Sequence, residues 1–187
     1  SGSRPVVLLA NLSGFDGSPE SMRKLQLEYG AQIARAVVNF KGPLLFMVVS
    51  RYHGGAYVVF SQALSDNLQA IALEGSYASV IGGGPAAAVV FPQLVRKRVQ
   101  ADERVQQARG VLQGSGNRSG KQAEFEAIYR QVEAEIQNQV AQEFDSVHSI
   151  ARAREVGSLS DVVNPNELRA QLCERLEASV STYLDKQ

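Results

Sequence analysis

Cysteine is almost absent from this chain. Cys173 stands alone among 187 residues, so an intrachain disulfide is excluded. Histidine is nearly as scarce: there are two, His53 and His148, and no Cys/His cluster accompanies them. A structural zinc site needs several such ligands at close spacing, so no metal site is expected. Neither sign of charge is in excess. Lysine plus arginine number 19 and aspartate plus glutamate number 19, so the formal net charge is zero. That balance argues against a nucleic-acid partner and leaves little repulsion against self-association. Long apolar runs are missing too, so no membrane-spanning helix is expected. No secretory signal is visible, and cytoplasm is the expected location. Ser1-Gly2-Ser3 reads as a cloning scar.

What is present suits a globular α/β protein. Hydrophobic residues make up 44% and charged residues 20%, ordinary values for a folded domain. The length supports one real core. Val6 to Ala10 is an apolar run bounded by Pro5 and a polar loop, Asn11 to Gly17, and reads as a buried strand. Ser18 then caps a helix with Pro19 at its first position and Glu20 near its positive end. Met22, Leu25, Tyr29, Ile33, Val37 and Phe40 recur at helical spacing and predict one helix packing that face on the core. Gly42-Pro43 ends it. Leu44 to Val49 is a second strand, which completes a βαβ unit with parallel pairing.

Leu68 to Leu73 and Tyr77 to Ile81 read as further short strands joined through Gly75. Gly82-Gly83-Gly84-Pro85 opens another helix. From there the chain reads as largely helical: an amphipathic stretch from Leu94 to about Leu112, then a glycine/serine loop from Gln113 to Gly120. Phe125, Ile128, Val132, Ile136, Val140 and Phe144 mark the apolar stripe of a long helix. Ser158 to Val163 reads as a short strand. Asn164-Pro165-Asn166-Glu167 resembles a capping box before a last helix, striped by Leu168, Leu172, Leu176, Val180 and Leu184. Cys173, within that stripe, is expected in the core. Residues 4–187 read as one domain, with an α/β core over 4–92 and a mainly helical part over 93–187.

The densest chemical signal is Arg51-Tyr52-His53-Gly54-Gly55-Ala56-Tyr57, directly after the second strand. Small residues there leave main-chain N–H groups unshielded. If a helix starts at that point, its first N–H groups lack intrahelical partners and favour negative charge. Such a corner can hold an oxygen that turns anionic during acyl or carboxyl transfer. The competing reading is a plain glycine turn between a strand and a helix, and spacing alone does not separate the two. Gly114-Ser115-Gly116 is no phosphate loop: it follows a helix and lacks a Gly-Lys-Ser/Thr ending. Arg96-Lys97-Arg98 is read as a solvated helix face.

Four segments in this order resemble the C-terminal half of biotin-dependent acyl-CoA carboxyltransferases. They are Leu8-Leu9-Ala10-Asn11-Leu12-Ser13-Gly14-Phe15, Tyr29-Gly30-Ala31-Gln32-Ile33, His53-Gly54-Gly55-Ala56-Tyr57 and Ile81-Gly82-Gly83-Gly84-Pro85-Ala86. The resemblance is specific from about Pro5 to Phe91 and looser to Leu176. It implies a crotonase-like ββα superhelix with a helical C-terminal extension, on the acetyl- or propionyl-CoA carboxylase pattern. It also implies that this chain is the half that holds biotin, with acyl-CoA as substrate. The glycine corner of the first half, which serves the acyl-CoA, has no counterpart here.

On the family pattern, the N–H groups of Gly55 and Ala56 would hold the biotin ureido oxygen as the carboxyl group leaves. Gly54, Tyr57, Val58, Phe15, Gly82 and Gly83 would border the biotin and acyl chain. For Gly82 and Gly83 tight helix packing competes with that role, and for Tyr57 and Val58 ordinary packing does. His53 is expected to shape the loop. No Met-Lys-Met attachment sequence is present, so biotin would arrive on a separate carrier domain or subunit. The implied partners are an N-terminal carboxyltransferase half, a biotin carboxyl carrier domain, biotin carboxylase and further copies in a dimer-based homo-oligomer. Two alternatives stand beside this. One is a biotin-dependent decarboxylase subunit working with a sodium-pumping partner. The other is a noncatalytic dimerisation module of the same fold.

Overall fold

The computed structural model describes residues 4–114 and 118–185. Ser1-Gly2-Ser3 and residues 115–117 of the expected glycine/serine loop lie outside the described residues. In chain order the elements are β1 (Val6–Leu12), α1 (Pro19–Arg23), α2 (Gln26–Asn39), β2 (Leu44–His53) and α3 (Gly55–Val59). Next come β3 (Leu68–Leu73), β4 (Tyr77–Ser79), α4 (Gly83–Pro85), α5 (Pro92–Ala101), α6 (Glu103–Gly114) and α7 (Arg118–Val147). Last are α8 (Ile150–Glu155), β5 (Asp161–Val163) and α9 (Leu168–Leu184). No helix among the described residues is long and apolar enough to cross a membrane.

The chain divides into two compact units. One joins the chain up to Ile81 with the segment from His148 onward, and the other is Gly82–Val147. The sequence cut between residues 92 and 93 marks a rise in helix content rather than a border of either unit.

The first unit holds a parallel sheet in the order β1-β2-β3-β5. Val6 pairs with Leu44, and Leu44 with Leu68, so the apolar runs lie in register. Near-continuous apolar strands suit a sheet covered on both faces, as β2 and β3 are. The expected burial of the first strand fails, because β1 lies at the sheet edge and leaves Val7 and Leu9 exposed. One face carries Phe46, Val48, Ala70 and Ala72 against Val37 and Phe40. The other carries Leu45, Met47, Ile71 and Val163, covered by Leu168 and Leu172 of α9. The second strand runs on past the expected Val49 to His53. Its far end, Arg51 to His53, pairs with Tyr77 to Ser79 of β4, off the main path. This ladder lies beyond the reach of β3, and it is what keeps β2 extended up to the corner.

The expected single helix over the second segment is two. Ser18 does cap α1, its side chain accepting from the Ser21 N–H, with Pro19 at the start. The helix then breaks at Leu25, which sits at φ 62°. The stripe expected to face the core also lies largely outside: Tyr29 is 58% exposed and Ile33 37%. The buried residues of α2 are Gly30 and Val37. One residue on a helix is a turn of roughly 100°, so at Gly30 the packed face is offset by one position from Tyr29, and it rejoins the stripe at Val37. Cys173 is likewise exposed, not in the core; it follows half-buried Leu172 by that same rotation.

The second unit is helical. Gly83–Pro85 continues into a wide turn of π type, Ala86–Val90. Val95, Val99, Val105, Val132, Ile136 and Val140 form its core, which confirms the long-helix stripe. The amphipathic stretch from Leu94 is split at Asp102, whose extended backbone stops α5. Its carboxylate then accepts from the Arg104 N–H at 2.9 Å, which caps the next helix. Arg98 forms a surface pair with Glu143 at 2.7 and 2.9 Å.

Candidate functional site

The corner after β2 is built by a change of direction that only glycine permits cheaply. Gly54 has φ 62° and ψ −137°, a conformation that L side chains rarely adopt. Its N–H donates to the Val80 carbonyl at 2.9 Å, which ties the corner to the end of β4. Helix α3 then starts at Gly55. The main-chain N–H groups of Gly55 and Ala56 have no acceptor among the described residues. Gly55 is half-buried, and Ala56 is fully buried with its side chain in the core. A buried N–H without a partner is uncommon and asks for an explanation. Gly55 is the more accessible donor.

The β1–α1 loop lies directly on this corner. A Cβ on Gly54 would stand 3.0 Å from the Gly14 Cα, so two backbones meet there. Gly14 itself has φ 109°. A Cβ on Gly55 would stand 2.7 Å from Phe15 Cε2, so the phenyl ring occupies the space a side chain would need. Phe15 and Gly54 to Ala56 are therefore brought together. Gly14 and Gly30 were not singled out by sequence reasoning as site residues. Their signal was there, because both sit inside the motifs Asn11 to Phe15 and Tyr29 to Ile33.

Behind α3 stands an aromatic cluster. Phe46 lies 4.9 Å from Tyr52 and 4.7 Å from Phe60, and Tyr52 lies 4.9 Å from Tyr57. The Tyr52 hydroxyl donates to the Tyr57 carbonyl at 3.3 Å. Burial, and secondarily Tyr57, pushes the Tyr52 phenol well above its ordinary range. It therefore stays protonated and able to donate. The Tyr57 hydroxyl donates to Ser158 Oγ. Val58 is 58% exposed at the surface of α3. His53 is buried, with Nδ1 3.1 Å from Ser79 Oγ and 3.3 Å from the Ser79 carbonyl. That position shapes the corner.

Gly82 and Gly83 belong to the helical unit. Gly82 is half-buried, and its carbonyl accepts from Ala86 at 3.0 Å. Gly83 is buried, and its N–H donates to Asp145 Oδ1 at 2.8 Å. A Cβ on Gly83 would stand 2.6 Å from Asp145 Oδ2. Two cavities lie elsewhere. One of about 320 Å³ is lined by Ala108, Phe125, Ile128 and Val132. The other, about 300 Å³, is lined by Pro43, Asn67, Ser160 and Tyr183. The corner lies outside both. No group of His, Cys, Asp and Glu among the described residues is arranged to hold a metal ion.

The parallel sheet flanked by helices makes this an α/β protein, and it shares the crotonase-like fold of the solved structures it resembles. The carboxyl transferase domain family matches residues 3–186, so the chain belongs to that family. Acetyl-CoA carboxylase of Schizosaccharomyces pombe is 32% identical over 80 residues, 41% of this chain and 4% of that protein. The mitochondrial acetyl-CoA carboxylase of Saccharomyces cerevisiae is 33% identical over 63 residues, 33% of this chain and 3% of that protein. Among solved structures, a transcarboxylase 12S with methylmalonyl-coenzyme A and methylmalonic acid bound shares the fold. It has a TM-score of 0.63 at 17% identity, over 96% of this chain and 28% of that one. The beta subunit of P. aeruginosa geranyl-CoA carboxylase gives 0.63 at 21%, over 95% and 32%. This chain therefore spans a small part of the curated relatives and about a third or less of these solved chains.

Proposed function

We propose that this chain is the biotin-side half of a carboxyltransferase that moves a carboxyl group from carboxybiotin to a short-chain acyl-CoA. The observation that carries the reading is the pair of unbonded N–H groups at Gly55 and Ala56 in a chain of this family. Bound there, carboxybiotin would supply the carboxyl group and place growing negative charge on its ureido oxygen. The Gly55 N–H, half-open at the surface, would donate to that oxygen first, and Ala56 would add a second donor from deeper in the fold. One such donor is worth about 3–4 kcal/mol of transition-state stabilisation. Phe15 would exclude water from one side, and the exposed Val58 suits a short apolar acyl group. Tyr57 and Gly54 hold the shape of the rim. Gly82 and Gly83 stay in the proposal as border residues, against the packing that occupies Gly83.

In this reading the acyl-CoA side comes from an N-terminal carboxyltransferase half, and biotin comes on a carrier domain loaded by biotin carboxylase. Copies would assemble through dimers, in the cytoplasm. The isolated chain would then be inactive with malonyl- or methylmalonyl-CoA and free biotin, and adding the N-terminal half would restore transfer. Full activity of the isolated chain would contradict the split site. A sharper test replaces the Gly55 main-chain amide by an ester in the longer protein, which removes the donor and keeps the shape. The expected loss in kcat is about 100-fold or more, with the dimer intact.

One observation favours a second reading, a noncatalytic assembly module. Packing on Gly14 and Phe15 explains glycine at 54 and 55 without any ligand. That reading predicts full turnover from the ester variant.

A further inference from the structure

We propose that Gly30, on a different helix from the corner, is a positioning residue for the Gly55 donor and acts through the Phe15 ring. This rests on the carboxyl-transfer reading above. Gly30 lies inside the 14-residue helix α2, where glycine costs stability relative to alanine. A glycine at that place needs a packing reason. Helix α2 supplies one, because it buries Gly30 and leaves the neighbouring Tyr29 exposed.

The distances say what the missing side chain makes room for. A Cβ on Gly30 would stand 2.9 Å from Phe15 Cε2 and 3.3 Å from Phe15 Cδ2. The same two ring atoms fill the Cβ space of Gly55, with Cε2 at 2.7 Å. One ring edge is thus wedged between the Cα atoms of two helices. Nor is the loop behind the ring free to withdraw, because Gly14 rests on the backbone of Gly54. A methyl group at position 30 therefore pushes the ring toward Gly55, and Gly55 carries the donor. Catalytic donors work only near their productive geometry, and a misplacement of about 1 Å can cost about 100-fold. The ring passes a steric demand from α2 to the first N–H of α3.

The test uses the longer protein that carries this chain, assayed by carboxyl transfer from malonyl-CoA to free biotin. Gly30→Ala should lower kcat about tenfold or more while the KM for malonyl-CoA stays within about twofold. The melting temperature should hold or fall modestly, since the gain from alanine in the helix offsets part of the cost of displacing the ring. In a Phe15→Leu background, adding Gly30→Ala should cost less than about threefold, because the wedge is gone. An unchanged kcat in Gly30→Ala overturns the proposal. So does an equal loss in both backgrounds. A Gly30→Ala protein that fails to fold assigns the glycine to packing alone and overturns it as well. The Gly55 ester separates this inference from the reading beneath it: a silent ester removes the carboxyl-transfer reading itself. A damaging ester beside a silent Gly30→Ala removes only the role of Gly30.

Discussion

Two glycine corners open helices in this chain, and they use their glycines differently. At 54–56 the Cβ space is taken by the Phe15 ring and the Gly14 backbone, while the N–H groups of Gly55 and Ala56 have no acceptor among the described residues. At 82–85 the Cβ space of Gly83 is taken by Asp145 and the Ala141 carbonyl, and its N–H is bonded to the Asp145 carboxylate. Both corners need glycine for close approach. The first leaves two consecutive donors, Gly55 and Ala56, unbonded; the second bonds its buried Gly83 donor to Asp145, while the exposed Gly84 N–H also has no acceptor among the described residues. A glycine-rich helix start therefore marks tight packing in general. The hydrogen-bond account at each amide decides which one can serve an anion.

Gly83→Ala breaks the comparison most strongly on the packing side. The new methyl would meet Asp145, and overpacking of this kind costs about 1–3 kcal/mol. Denaturant unfolding should show that loss, and an unshifted midpoint would show that Asp145 gives way to the methyl group. Gly84→Ala is the control, since nothing lies within 4 Å of its Cβ position; it should be neutral or slightly stabilising.

A smaller effect is expected from Tyr57→Phe, which removes the hydrogen bond to Ser158 behind the corner. The loss should be about 1 kcal/mol, read as a lowered melting temperature. An unshifted melting temperature would show that the aromatic cluster holds α3 without that bond.

The smallest effect concerns the loop that leads from Phe15 into α1. The Asp16 carboxyl is held below its ordinary 3.8 by the Ser21 hydroxyl and then by the hydroxyl and N–H of Ser18. A carboxyl lowered in the fold stabilises it above the unfolded value and loses that contribution as pH falls through the folded value. Amide exchange at Ser18 should therefore quicken as pH drops below 3.8, beyond the intrinsic pH trend of free peptides. Asp16→Asn should abolish that extra step. A step that survives the substitution would place its origin elsewhere.

Much of the α/β frame was legible because apolar runs are local. Val6 to Ala10, Leu44 to Val49 and Leu68 to Leu73 all became strands, and Ser18-Pro19 marked a helix start. The α7 stripe held because Val132, Ile136 and Val140 face one core. Periodicity was misleading on α2. Spacing gives the period of a stripe and not which of two adjacent stripes the fold buries. There a small residue, Gly30, was turned inward because Phe15 needed its space. Cys173 followed the same pattern of error. At the site, the residues of the corner were legible from small side chains after a strand. Gly14 and Gly30 were visible as members of short motifs, but the support that they and Ser158 give was not, because each acts on a residue distant from it in the chain.

The amino-acid order alone determined where strands begin, where proline and serine start a helix, and that positions 54–56 carry no bulky side chain. These are short-range properties, set by solvent-averse runs and backbone sterics. Tertiary structure decided which N–H groups remain unbonded and which ring lies against which glycine. Val80 satisfies Gly54, and Asp145 satisfies Gly83 across 62 positions. A donor is free only when no distant acceptor reaches it, and folding is what brings distant acceptors near.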